Sequence, residues 1–172
     1  MTAMENSGVK WGVIGAVATV LISLLTYIVG QKFYLQAGSW IGMFAGLFFL
    51  YKSGIEARQQ AGGYISFQEV LKSVFTTYII MTVASTIMQY VMYKFVDPGL
   101  IDVTKQIAME GMEKMKGILG EEGYEEAMEQ METQDFAPSI RQSLLGLAFS
   151  IILGFGVSAI FVAIIKRKQP EY

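Results

Sequence analysis

Four stretches of this sequence carry no charged residue, and each is long enough to cross a bilayer. Residues 11–31 are uncharged over 21 positions between Lys10 and Lys32, and residues 33–51 over 19 between Lys32 and Lys52. Residues 73–93 are uncharged over 21 positions between Lys72 and Lys94, and residues 142–165 over 24 between Arg141 and Lys166. A hydrocarbon core about 30 Å thick needs roughly 20 apolar residues in a helix that rises 1.5 Å per residue. The flanking basic side chains can snorkel to the headgroups. Within the fourth stretch, 14 of the residues 144–165 are Leu, Ile, Phe or Val. Each contributes at most about −0.3 to −0.6 kcal/mol at a helix centre, and no charge at roughly +3 kcal/mol offsets the sum. The second stretch is the weakest, because its continuous apolar part is only residues 40–51; started near Leu35, it spans a slightly thinned bilayer. The spans are therefore expected at 11–30, 35–51, 73–94 and 143–165.

A water-facing helix needs a polar face, and residues 151–161 offer only Gly, Ser and Ala as relief. Charged residues make up 16% of the 172-residue chain, against about 25% in an average soluble domain. The apolar run 11–29 exceeds a usual signal-peptide core and lacks a small-x-small cleavage pattern, so it is expected to stay as a span. The fold class that follows is all-α: a single polytopic membrane domain with four transmembrane helices and an amphipathic helical insert between spans three and four.

With four spans, both termini share a side with the segment between spans two and three. That side carries Lys10, Lys52, Arg58, Lys72, Lys166, Arg167 and Lys168 against four acids. The other side carries Lys32 and residues 94–141, which hold five basic and eleven acidic residues. Basic residues hold short loops in the cytoplasm, whereas acids matter little. The expected topology is multi-pass, with both termini cytoplasmic and the acidic insert outside.

The insert covers about 97–140. Pro98 and Gly99 break the third helix. Ile101, Ala108, Met112, Met115 and Leu119 then recur as one apolar helical stripe, and Gly120 and Gly123 punctuate it. A second short helix aligns Tyr124, Met128 and Met131, and residues 135–139 read as a turn. These helices either lie on the membrane or on the spans as a lid, or present Met112, Met115, Leu119, Tyr124, Met128 and Met131 as an adaptable partner surface; the lid reading is the simpler. Their acidic faces disfavour anionic lipid. On the opposite side, Ser66 and Glu69 match a capping box, and the helix they start is expected to run into the third span.

Small residues recur at four-residue steps: Gly8, Gly12 and Ala16; Gly38, Gly42 and Gly46; and Gly146, Ser150, Gly154 and Ser158. In lipid such faces permit close backbone approach, so Gly38, Gly42, Gly46, Gly146 and Gly154 are expected to pack helices, within one chain or across a homodimer seam. The third span carries a polar stripe of Tyr78, Thr82, Ser85 or Thr86, Gln89 and Tyr93, and the first carries Thr19, Ser23, Thr26 and Tyr27. These faces either hydrogen-bond across the spans or line a path for a polar solute. Gln89 is the one amide well inside a span and needs partners.

Histidine and cysteine are both absent. That removes imidazole and thiolate chemistry, disulfides and iron–sulfur ligation. No span holds an ionisable Asp, Glu, Lys or Arg, which argues against a proton-driven pump. The acidic run Glu121, Glu122, Glu125 and Glu126 lacks EF-hand spacing, and Gly62-Gly63 is not followed by the Gly-Lys-Ser/Thr of a phosphate loop. No catalytic residue, metal or cofactor is expected, and no nucleic-acid partner.

The run Gly63-Tyr64-Ile65-Ser66-Phe67-Gln68-Glu69-Val70-Leu71-Lys72 ahead of the third span resembles domain of unknown function family 4199, found mostly in Bacteroidota. The Asp97-Pro98 ending of that span, the helical insert and the basic end of the fourth span are similar too. Gln68 departs from the small residue, Gly or Lys expected there. The resemblance implies an integral inner-membrane protein and brings no catalytic residues. Three roles stay open. The favoured one is a non-catalytic scaffold or accessory subunit that binds a membrane-protein partner through the insert. The next is a small oligomeric channel or carrier for a neutral solute, and the last a membrane enzyme using insert carboxylates.

Overall fold

The computed structural model describes residues 6–134 and 136–165. The Lys166-Arg167-Lys168 cluster lies outside them, as does Asp135 in the turn before the fourth span. Five helices make up the fold, with no strand among the described residues. They are α1 (Ser7–Val29), α2 (Gln31–Gln60), α3 (Phe67–Val96), α4 (Leu100–Thr133) and α5 (Ile140–Ile165). All but α4 are long and apolar enough to cross a membrane. Their best windows have mean hydropathies of 2.3, 1.4, 1.5 and 2.6, so α2 is the least apolar of the four.

Local chemistry sets the boundaries. Asn6 caps α1 by accepting from the Gly8 amide at 2.9 Å. Gly30, at φ 155° and ψ 152°, is the single residue between α1 and α2. The helix that carries the second span therefore begins at Gln31 and continues past Lys52 to Gln60, beyond the expected 35–51 at both ends. A helix of 30 residues reaches about 45 Å, so its last turns stand clear of the hydrocarbon and carry Lys52, Glu56 and Arg58. A π-turn at Tyr34–Gly38 marks its start and another at Met92–Val96 ends α3. Gly62 and Gly63, at φ 75° and 95°, make the turn that leads to α3. The Ser66–Glu69 capping box is present. Ser139 and Gln142 cap the start of α5 in the same reciprocal way.

The central helix is α3, which touches α1, α2 and α5. Helix α2 also touches α1 and α5. The starts of α1 and α3 and the ends of α2 and α5 gather on one side, here the terminal side; α4 lies on the other, the insert side. A buried cluster of Leu50, Ala57, Ile65, Val70, Val74, Val162 and Ile165 packs the terminal side. The insert side has a smaller one, Met92, Tyr93 and Leu100, flanked by Tyr27, Tyr34 and Leu35.

Glycines bring the helices together at selected points. A Cβ on Gly8 would stand 2.6 Å from the Ser73 carbonyl, one on Gly15 2.6 Å from Met81 Sδ, and one on Gly54 2.6 Å from Ile165 Cδ1. The buried small residues on the packing face of α1 are thus Gly8, Gly12 and Gly15, with Ala16 half-buried. A Cβ on Gly154 would overlap the Tyr78 ring and one on Gly38 would press on Thr26 Oγ1 at 2.9 Å, so both are close-packing positions. Gly42 and Gly146 have nothing within 4 Å, and Gly46 makes only an ordinary contact with Met81 Cε at 3.7 Å. The close approach expected at Gly42, Gly46 and Gly146 does not occur within this chain, because these glycines border open space.

Candidate functional site

The polar residues of spans one and three do face one another, across a cavity. It measures about 480 Å³ and lies between the two packed clusters. Thr19, Ser23 and Thr26 come from α1, and Tyr78, Thr82, Ser85 and Gln89 from α3. Gly38, Gly42 and Gly46 form the α2 wall, and Val157 comes from α5. No charged residue lines it.

Several hydroxyls here are already committed to their own helix. Thr19 Oγ1 donates to the Gly15 carbonyl at 2.8 Å, Thr26 Oγ1 to Ile22 at 2.8 Å, and Ser85 Oγ to Met81 at 2.9 Å. Such back-bonding leaves the oxygen lone pairs turned outward. Tyr78 Oη donates to the Ser150 carbonyl at 2.8 Å, tying α3 to α5. Among the described residues the Gln89 amide has no hydrogen-bond partner; its side chain is exposed rather than buried, bordering open space.

The polar stripe of α3 divides at Gln89. Thr86, Gln89 and Tyr93 line a second cleft of about 340 Å³ with Gln142, Ser143, Gly146 and Ser150 of α5. Ser85 therefore belongs to the cavity and Thr86 to the cleft, and Gln89 borders both. Tyr93 Oη pairs with Thr104 Oγ1 of α4 at 2.6 Å. The cleft exists because α5 leans away: its buried residues are Gly154, Ser158, Val162 and Ile165, all in its second half.

A buried hydroxyl cluster at the terminal side was not anticipated from sequence. Ser7 Oγ and Ser73 Oγ are 2.6 Å apart, Ser53 Oγ and Ser73 Oγ 2.9 Å, and Thr77 Oγ1 lies 2.8 Å from Ser53 Oγ and 2.9 Å from the Gly8 carbonyl. Beside it Glu56 accepts from Lys10 Nζ at 2.9 Å and from Trp11 Nε1 at 2.6 Å. These bonds lock α1, α2 and α3 together. Ser7 and Ser53 look like ordinary span-end serines in sequence; the only signal is that Ser73 and Thr77 are four residues apart on one face of α3.

On the insert side, Asp97 Oδ2 accepts from Gln31 Nε2 at 2.5 Å and from Tyr27 Oη at 2.8 Å. The Gln31 and Tyr27 hydrogen bonds hold its carboxyl below the usual carboxylate range. Lys32 Nζ pairs with Glu110 at 2.8 Å and holds that carboxyl low in the same way. Beyond Glu110, α4 runs on until Gly120, at φ 75° and ψ 174°, breaks it. Tyr124 and Met128 then line a groove with Asp102, Lys105, Met109, Glu110 and Glu113, so the second half folds back along the first as a hairpin. Lys116 Nζ sits 5.1 Å from the Tyr124 ring centroid.

The six residues expected as one partner surface are therefore distributed. Tyr124 and Met128 turn into the groove, and Met112 and Met131 are half-buried. Met115 and Leu119 point outward at 45% and 41% exposure, joined by Ile118 at 82%. Ile118 lies off the sequence stripe and was missed for that reason. Among the described residues no group of three or more Asp or Glu side chains converges to hold a metal ion.

The fold and these sites define an α-helical, multi-span membrane protein with an uncharged intramembrane cavity and an acidic hairpin on one side. The chain belongs to a family of proteins of unknown function, DUF4199, whose model matches residues 10–168. No curated protein and no solved structure matches it.

Proposed function

We propose that this protein is a non-catalytic accessory subunit or scaffold of a bacterial inner membrane, with both termini cytoplasmic, that holds a membrane-protein partner through its outer hairpin. The observation that carries this reading is the exposed Met115, Ile118 and Leu119 at the hairpin tip, past the last tie to the spans at Lys32–Glu110. An apolar tip of this kind on an otherwise acidic segment is a candidate anchor. The surrounding acids, including Glu121, Glu122 and Glu125, favour a partner with basic residues beside an apolar face, because complementary charge sets register and on-rate.

The test is cross-linking of the full-length chain in native membranes, followed by peptide mapping. Cross-links from residues 113–132 to a partner, lost in the doubly substituted Ile118→Glu/Leu119→Glu protein while its elution profile is unchanged, are the expected result. Cross-links confined to the spans, or indifferent to those substitutions, would defeat the reading. The alternative of a small oligomeric channel or carrier for a neutral solute draws on the cavity. It meets a packed floor on the terminal side, where Leu50, Val74 and Val162 are buried, so any solute route in that reading runs between copies.

A further inference from the structure

The intramembrane cavity has a chemistry that selects its occupant. Its walls hold no charge, and a charged headgroup brought there would lose its hydration with no counter-ion in return. Its polar rim offers acceptors together with a few donors, the latter from Ser23, Thr82 and the Gln89 amide. Thr19, Thr26, Ser39 and Ser85 each donate to a carbonyl of their own helix, and Tyr78 donates to Ser150. What these four Ser and Thr oxygens offer the cavity is lone pairs. A purely hydrocarbon tail would leave them unmatched, whereas a molecule bearing hydroxyl donors would satisfy them. Gln89, unpartnered among the described residues, adds a carbonyl and an NH₂ at the rim. Leu47, Leu50, Met81 and Val157 supply the apolar remainder. The volume of about 480 Å³ falls within the roughly 300–1,000 Å³ of small-molecule sites.

We infer that this cavity binds a neutral, single-chain amphiphile with a hydroxylated head, of the monoacylglycerol class, with the head at Gln89 and the facing hydroxyls and the chain along Gly42 and Gly46. The glycines of α2 are what keep the space open, since a side chain at Gly42 would project into it. The site is independent of the hairpin reading, and either can fail alone.

The experiment uses the full-length chain in phosphatidylcholine nanodiscs and three photoactivatable probes that share one diazirine-bearing chain: a monoacylglycerol, the free fatty acid and a lysophosphatidylcholine. Adducts are mapped by mass spectrometry. The monoacylglycerol should label cavity residues of α1–α3, and excess unlabelled monoacylglycerol should compete it away. Gly42→Leu, which fills the cavity, should reduce that labelling by about tenfold, equivalent to a tenfold weaker affinity. Gln89→Leu should narrow the preference for the glycerol probe over the acid, which keeps the test decisive if Gly42→Leu does not fold. Equal labelling by all three probes, labelling led by the fatty acid, or labelling untouched by either substitution would overturn the inference.

Discussion

The terminal half and the insert half of the four spans are built on opposite principles. In the terminal half α3 is engaged on every side. Gly8 admits the Ser73 backbone, Gly54 admits Ile165, and Ser7, Ser53, Ser73 and Thr77 close a chain of hydroxyl contacts across three helices. In the insert half Gly42 and Gly146 face empty space, and the hydroxyls of Thr19, Thr26 and Ser85 bond to their own helices rather than to neighbours. In lipid the solvent is as apolar as the side chains, so association depends on close packing and on interhelical hydrogen bonds. The terminal half has both. The insert half is tied at its rim, through Asp97, Tyr93–Thr104 and Lys32–Glu110, and is left open beneath. Below the rim, and apart from Gly38 against Thr26, a small residue or a hydroxyl therefore marks a contact in the terminal half and a cavity wall in the insert half.

The strongest way to break this contrast is to add one methyl group in each half. Gly8→Ala meets a backbone carbonyl and Gly154→Ala meets a tyrosine ring, so each should destabilise by about 1–3 kcal/mol, the range of overpacked cores. Gly42→Ala and Gly146→Ala meet nothing within 4 Å and should be neutral or slightly stabilising, since Ala is favoured over Gly in a helix by up to about 1 kcal/mol. Thermal unfolding in one detergent, read by size-exclusion fluorescence, would rank the four. Similar losses at all four positions would erase the distinction.

Thr77→Val comes next. It keeps the shape and removes the hydroxyl that meets Ser53 Oγ and the Gly8 carbonyl. A loss of about 1–2 kcal/mol is expected from the stranded buried partners, measured by the same unfolding assay. Thr82→Val, on the cavity wall, should change stability far less.

The smallest effect concerns the rim. Because the Gln31 and Tyr27 hydrogen bonds hold the Asp97 carboxyl below its usual range, its contribution is complete above the unfolded value, about 3.9. That contribution is lost as pH falls through the folded value. Wild-type thermal stability should therefore decline on acidification below about pH 4, and Asp97→Asn should lower stability at neutral pH while flattening part of that decline. An unchanged acid limb in the variant would remove Asp97 from the rim's stabilising contacts.

Much of this architecture is written in one-dimensional patterns. Charge-free runs locate the four spans, since hydrocarbon excludes ions wherever the chain crosses it. Ser66 and Glu69 announce the start of α3 because a capping box is local. The residues Thr19, Ser23, Thr26, Thr82 and Gln89 could be assigned to faces by periodicity, and those faces do meet across the cavity. What periodicity lacks is the register and splay between helices. It could not tell that Gly15 meets Met81, that Ser85 and Thr86 part company on either side of α3, or that the buried residues of α5 all lie in its second half. Charge marks where hydrocarbon ends and not where a helix does, so the Gln31–Gln60 helix outruns the expected span 35–51. Ile118 escaped because it lies off the apolar stripe of its helix, and its 82% exposure is set by tertiary structure.

The single-residue joint at Gly30 has a consequence for biogenesis. Two consecutive spans linked by one amino acid cannot be released to the bilayer one at a time with a loop left trailing between them. A one-residue link predicts entry as a helical pair, in which whatever fixes the direction of the first span fixes the second as well. Nothing at that joint is long enough for a protease to grip or for an epitope to be spliced in without prising the pair apart.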